Sequence, residues 1–319
     1  MNFRTEYIPA RSAITLDPAR PLLLIGSCFS ENVGRTLADS GWDAAINPCG
    51  TLFNPASIER IAGLALDHAE YGCPRSADFG EGSFSWDFPT TFTSPSAARL
   101  QEKTSQALGS LAEAVKISQA VIITLGTSIV YRFESDNIPV ANCHRIPAAR
   151  FSRSMLSADE TAASLRRTAS IISSANPDAK IILTVSPVRH IKEGFADNSR
   201  SKARLILACE KMEEENIASY FPAYEILSDD LRDYRFYADD LLHPSSAASE
   251  YIAGKFLDTY LDPDGRKLLD EAAAICRRLR HRILNPGNPQ SARFREETLR
   301  LARSFVLRHP GFRLPDPLE

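Results

Sequence analysis

The chain has no apolar run approaching the roughly 18 residues that a bilayer-spanning helix needs, which argues against a helical membrane protein. The strongest apolar run near the start, residues 21–25, is too short for a signal-peptide core. Arg4, Glu6 and Arg11 precede it without a basic-then-apolar layout, so the expected location is cytoplasmic with no membrane partner. Cysteine is sparse: Cys28, Cys49, Cys73, Cys143, Cys209 and Cys276 are scattered and none forms a C-x-x-C pair. A disulfide framework or structural zinc site is therefore not expected, and each cysteine reads first as a small buried apolar residue. The H-E-x-x-H motif and the G-x-x-x-x-G-K-S/T phosphate loop are missing, and neither a metal nor a cofactor is expected. Charge of one sign is lacking too. Lys and Arg number 37 against 40 Asp and Glu, a net of -3, which does not suit a general nucleic-acid partner. Internal repeats and low-complexity tracts are absent.

What is present is an ordinary globular composition. The 319 residues are 44% hydrophobic and 24% charged, enough for one large domain or two modest ones with a core that needs no staples. Residues 21–26 (PLLLIG), 120–126 (AVIITLG) and 180–186 (KIILTVS) are continuous apolar runs, the pattern of strands buried on both faces. Helical stretches separate them: residues 30–40, with Ser30 as expected N-cap, then 158–173 and 201–214. Apolar strands alternating with amphipathic helices predict an α/β fold, a three-layer α/β/α sandwich with a mainly parallel sheet. In such sheets ligands bind beyond the carboxyl ends of the strands. The polar residues at those points are Ser27-Cys28, Thr127-Ser128, Arg189-His190 and the stretch from Asp240 to His243.

Two segments depart from the pattern. Residues 71–96 mix Gly, Ser, Thr and Pro with Phe79, Phe84, Trp86, Phe88 and Phe92, and read either as a lid or binding loop or as an irregular segment packing its own aromatics. Residues 263–319 follow a break at Asp262-Pro263-Asp264-Gly265. They form one amphipathic helix through Leu268, Ala272, Ile275, Leu279 and Ile283, a stop at Asn285-Pro286-Gly287, and a second helix over 292–307. The expected organisation is a domain over 1–262 and a C-terminal helical appendage over 263–319, whose helices offer a homodimer contact.

Two short patterns carry chemistry. Gly26-Ser27-Cys28-Phe29-Ser30 places a nucleophile on a strand-to-helix turn. There the helix start offers N–H groups to an oxyanion and its positive end favours thiolate, so a lowered Cys28 pKa is expected. Asp240-Leu241-Leu242-His243 places a carboxylate three residues before an imidazole. It can fix the tautomer and leave the other nitrogen as a base. Arg189 and Arg235 suit a carboxylate or phosphate on a substrate, or, for Arg235, an ion pair with Asp233 or Asp239.

The order of these blocks resembles the SGNH/GDSL-like hydrolases, with a nucleophile turn first and Asp-x-x-His last. The chain resembles the GSCFA family more closely, through Gly26-Ser27-Cys28-Phe29 with Ser30 in place of the final Ala. Further matches are Asn47-Pro48-Cys49-Gly50, Asn54-Pro55, Gly126-Thr127-Ser128, Val140-Ala141-Asn142-Cys143-His144, Val185-Ser186-Pro187-Val188-Arg189-His190 and Asp233-Tyr234-Arg235-Phe236-Tyr237. Together they cover roughly residues 1 to 260.

The resemblance implies an SGNH/flavodoxin-like sheet and an esterase of small-molecule or saccharide esters, acting through a covalent acyl-enzyme. It implies Cys28 as nucleophile with Ser27 as the alternative, His243 as base and Asp240 as its orienting group. Gly50, Ser128 and Asn47 become the oxyanion candidates, because the family group's Gly-x-Asn reads Gly126-Thr127-Ser128 here. Asn54, Asn142, His144, Arg189 and His190 become substrate-binding candidates. The alternatives are an acyltransferase that uses the aromatic segment to exclude water from a saccharide or other hydroxyl acceptor, and a catalytically silent binding module.

Overall fold

The computed structural model describes residues 4–80, 82–135, 137–283 and 288–316. The first half of the chain runs β1 (Leu22–Gly26), α1 (Cys28–Asp39), β2 (Ala44–Ile46), α2 (Pro55–Leu66), the single turn α3 (His68–Tyr71), β3 (Ser76–Phe79), β4 (Gly82–Ser85) and α4 (Ala97–Ile117). It continues with β5 (Ala120–Leu125), β6 (Ile129–Phe133), β7 (Pro139–Val140), β8 (Phe151–Met155), α5 (Ala158–Ala175) and β9 (Lys180–Val185). The remainder is α6 (Phe195–Glu214), β10 (Ser219–Phe221), the short α7 (Ala223–Glu225), α8 (Ser246–Tyr260), α9 (Pro263–Leu279) and α10 (Pro289–Arg308).

The central sheet has the order β10-β9-β5-β1-β2, and every pairing within it is parallel. This is the flavodoxin-type order, whose direction reverses between β1 and β5 and opens a crevice there. The apolar runs split by alternation. Leu23, Ile25, Val121, Ile123, Ile181 and Leu183 face a core shared with α2, α4, α5 and α6. Leu22, Leu24, Ala120, Ile122 and Ile182 face a second core with α1, α8, α9 and α10. Burial on both faces accounts for the continuous rather than alternating hydrophobicity of these strands.

The structure departs from the sequence expectations at the start of α1, and it bears on two segments whose readings the sequence leaves open. Helix α1 starts at Cys28 with Ser27 as N-cap, whereas Ser30 is fully buried and its hydroxyl donates to the Ile25 carbonyl. The reason is Gly26, whose φ of +127° turns the chain straight from strand into helix. The aromatic segment follows the second of its two readings and packs its own aromatics: β3 and β4 form a hairpin, and Phe84, Trp86, Phe88 and Phe92 are buried. Phe84 and Trp86 pack with Val140 beside the small antiparallel sheet β7-β6-β8, whereas Phe88 and Phe92 join the main core. The C-terminal helices lay Leu269, Ala272, Ile275, Leu279 and Phe305 into the second core, while Val306 and Leu307 of α10 stay exposed. The Phe79 side chain and the Asn285-Pro286-Gly287 stop lie outside the described residues.

Among the described residues no helix is long and apolar enough to cross a membrane. No group of three or more His, Cys, Asp or Glu among them is placed to hold a metal ion. All six cysteines are free.

Candidate active site

The row of strand ends at the reversal point is set by register. Gly26 of β1 pairs with Thr124 of β5, and Leu125 pairs with Val185 of β9. The Ser27 N–H donates to the Thr124 carbonyl (3.0 Å) and the Ser186 N–H to that of Leu125 (2.8 Å), extending the ladder one residue beyond the strands. Only glycine fits at position 26, because a Cβ there would lie 2.1 Å from the Thr124 carbonyl oxygen. Ser27 is fully buried and caps α1 by accepting from the Phe29 N–H. Cys28, the first helical residue, is half-buried against the second core. Its thiol is pushed up, not down: burial is the largest cause, then the Glu31 carboxylate, opposed by the Cys28 and Phe29 N–H groups and by Lys202. The expected thiolate is thus overruled by desolvation, and the resting group is a thiol that needs a base.

The three oxyanion candidates fare differently. The Gly50 N–H is already donated to the Asn47 carbonyl (2.8 Å). Ser128 is fully buried, with its N–H (2.7 Å) and hydroxyl (3.2 Å) both on the Ser201 hydroxyl. Asn47 sits in the left-handed region (φ +43°), and its Oδ1 accepts from the Gly26 N–H at 2.9 Å. Its Nδ2 is buried and without a partner, a donor just past the end of β2 with nothing to donate to.

His243 lies in the segment leading into α8, a helix that packs against α1. Its Nδ1 is 2.6 Å from Asp240 Oδ2, while Asp240 Oδ1 accepts from the N–H groups of Leu242 (2.9 Å) and His243 (3.0 Å). Those backbone donors, then the imidazole, hold the Asp240 carboxyl down at about 2. The tight turn that allows this contains Leu241 at φ +59°, a strained conformation for a branched residue. The ring is about 42% exposed, so its other nitrogen is accessible. Among the described residues no direct hydrogen bond joins it to Cys28.

The sequence reading missed Lys202. It lies on α6, is 1% exposed, and its ammonium donates to the carbonyls of Gly126 and Ser186, both at 2.6 Å. It thereby ties together the ends of β5 and β9. Burial pushes it down to about 7, while Cys28 raises it. A signal was available in the buried stripe of α6 through Asn198, Ser201, Lys202, Leu205, Ala208, Cys209 and Met212, where a lysine occupies a core position.

The consecutive residues Arg189 and His190 line two different cavities. His190 borders one of about 340 Å³ with Phe53, Asn54, Thr127, Asn142 and Cys143. Its Nε2 is buried without a partner, and burial, Lys202 and His243 push it down to about 3, so the ring is neutral. Asn54 caps α2 by accepting from the Ser57 N–H (2.9 Å), and Asn142 Oδ1 accepts from the Thr90 hydroxyl (3.0 Å) and the His144 N–H (2.8 Å). His144 is placed elsewhere: its ring stacks on Phe84 at 4.3 Å and its Nε2 is 2.8 Å from the Ser85 carbonyl. Arg189 borders the second cavity, about 360 Å³, with Tyr234 and Tyr237. Arg235 pairs with Asp233 at 2.9 Å, as one sequence expectation held.

The model of the GSCFA family matches residues 21–256. No curated protein matches the chain. Solved structures with some likeness include an acetyl esterase mutant with acetate ion (12% identity, TM-score 0.36, covering 80% of this chain and 99% of that one). A carbohydrate esterase family 3 protein from Talaromyces cellulolyticus has 11% identity and a TM-score of 0.36, with the same coverage. A mutant of an acetyl-xylooligosaccharide esterase from Geobacillus Stearmophilus has 13% identity and a TM-score of 0.38, covering 76% of this chain and 95% of that one.

Proposed function

The chain belongs to the GSCFA family, and we propose that it hydrolyses carboxylic esters through an acyl-enzyme formed on Cys28. The observation that carries this reading is the Asp240–His243 pair, oriented at 2.6 Å and half-exposed, in the segment that leads into α8, the helix packed against α1, whose first residue is the half-buried Cys28. A pair so arranged holds one tautomer and leaves Nε2 free to accept a proton. In the proposed reaction Cys28 Sγ attacks the ester carbonyl and its proton passes to His243 Nε2. The raised thiol makes that base necessary. The oxyanion is met by the Cys28 N–H that opens α1 and by the unpaired Asn47 Nδ2. Collapse expels the alcohol, which takes the proton from His243, and leaves a thioester. Water, deprotonated by His243, then attacks the thioester, releasing the carboxylic acid and restoring the thiol.

Water is preferred over a saccharide as acceptor because Phe84, Trp86, Phe88 and Phe92, for which a water-excluding lid was one of two readings, are buried. The oriented pair favours catalysis over a silent binding module. The test is hydrolysis of a short aryl ester. Cys28→Ala and His243→Ala are each expected to lower kcat about 10²–10⁴-fold, and mass spectrometry of wild type to find the acyl group on Cys28. Unchanged turnover in either variant overturns the mechanism.

A further inference from the structure

The cavity beside the Asp240–His243 turn has the composition of an anion receptor. Arg189 is held by two rings, its guanidinium carbon 4.2 Å from the Tyr237 centroid and 5.1 Å from that of Tyr234. Ring contacts fix a guanidinium in place without cancelling its charge, as a carboxylate partner would. Among the described residues no carboxylate lies within salt-bridge distance of Arg189 or of Arg232, which lines the same cavity. Asp233 is the acidic residue in the lining, and it is already engaged by Arg235 through its side chain and backbone N–H, both at 2.9 Å. Arg232 is delivered by an unusual backbone: a π-helical turn over Ile226–Leu231 ends in Arg232 at φ +43°. π-turns and left-handed non-glycine residues cost free energy and concentrate at functional sites.

The cavity is also wired to the proposed catalytic turn. The Arg189 N–H donates to the Leu242 carbonyl (3.1 Å), and the Leu242 N–H in turn donates to Asp240. Tyr237 bridges to Pro244, the residue after His243. An occupant therefore sits against the element that presents the imidazole. The volume, about 360 Å³, suits a ring-sized group rather than a polymer.

We propose that the Arg189–Arg232 cavity binds an oxyanion, carboxylate or phosphate, carried by the ester substrate. This rests on the hydrolase reading, and the experiment separates the two. Aryl esters bearing a carboxylate, a phosphate or neither are compared as substrates. Binding of phenyl phosphate, benzoate and neutral benzyl alcohol to the wild-type protein is measured by calorimetry. The charged esters are expected to have about tenfold or greater kcat/KM over the neutral one, with that preference reduced about tenfold in Arg232→Gln and in Arg189→Met and partly restored in Arg232→Lys. Phenyl phosphate or benzoate, but not benzyl alcohol, is expected to bind in an Arg232-dependent way, and the stronger of the two names the oxyanion. If esters are hydrolysed with no preference for charge, the anion site is overturned and the hydrolase reading stands. If no ester is hydrolysed but the anions bind and Arg232→Gln abolishes that binding, the site stands and the hydrolase reading falls. Anion binding that both arginine variants leave intact overturns the site.

Discussion

At the scale of single residues, burial decides what Cys28 is. A helix start alone argues for a thiolate, yet desolvation and Glu31 win and the thiol is raised above its ordinary 9.0. The sign for reactivity follows directly. Alkylation needs the thiolate, so the Cys28 rate is expected to keep rising with pH beyond 9 in His243→Ala. At neutral pH it should lag behind that of Cys73, which is exposed. Peptide mapping after timed iodoacetamide treatment checks this, and a Cys28 rate that levels off below pH 9 in that variant refutes the raised thiol. The sequence shows residue types and spacing, so the Asp240–His243 partnership was legible. It does not show which donors are already spent. Gly50 and Ser128 looked available until their N–H and hydroxyl groups were traced to Asn47 and Ser201. Lys202 was hidden for a related reason: its two acceptors lie on segments 76 and 16 residues away in sequence.

At the scale of elements, the buried strands were readable because burial on both faces leaves continuous apolar runs. The β3–β4 hairpin was not, because its Gly- and Ser-rich stretch resembles a loop and the anchoring aromatics make contacts distant in sequence. The start of α1 was misread by three residues because a serine at either 27 or 30 satisfies the N-cap pattern. What separates them is the backbone at Gly26, and that makes the β1–α1 turn sensitive to one atom. In Gly26→Ala the added Cβ meets a backbone carbonyl at 2.1 Å in a φ of +127°, and no side chain can move to relieve it. The β1–β5 pairing must open, and a loss of about 4 kcal/mol or more is expected. Ser27→Ala removes only the cap and should cost about 1 kcal/mol. Urea denaturation of the two variants ranks them, and the reverse order would contradict the steric argument.

At the scale of the whole molecule, the alternation of apolar and helical segments implies the three layers but not where the sheet reverses direction. That depends on which crossovers β1 makes with β2 and β5. The tail shows the same limit. Spacing over residues 268–283 identifies an apolar face, and a face alone reads equally as an appendage or a dimer contact. In the structure it is the outer cover of the second core, where Leu269, Ala272, Ile275, Leu279 and Phe305 share one cluster with Leu22, Leu24, Leu37 and Trp42. The packing is fastened at its edges by Arg280 with Asp39 (2.8 Å) and Arg313 with Asp43 (3.1 Å). Each large apolar side chain withdrawn from that core costs about 1.5–3 kcal/mol, so losing several exceeds the stability of a typical domain. A chain ended at Asp262 is therefore expected to expose the C-terminal end of α1 and the core beside Leu37 and Trp42, to aggregate, and to lose ester hydrolysis together with its fold. In the full-length protein the tail and the sheet should unfold together, with Trp42 fluorescence, read in a Trp86→Phe background, and far-ultraviolet circular dichroism giving coincident transitions in urea. A truncated chain that stays monomeric, with an unchanged midpoint, would mean that the tail only rests on the domain rather than completing its core.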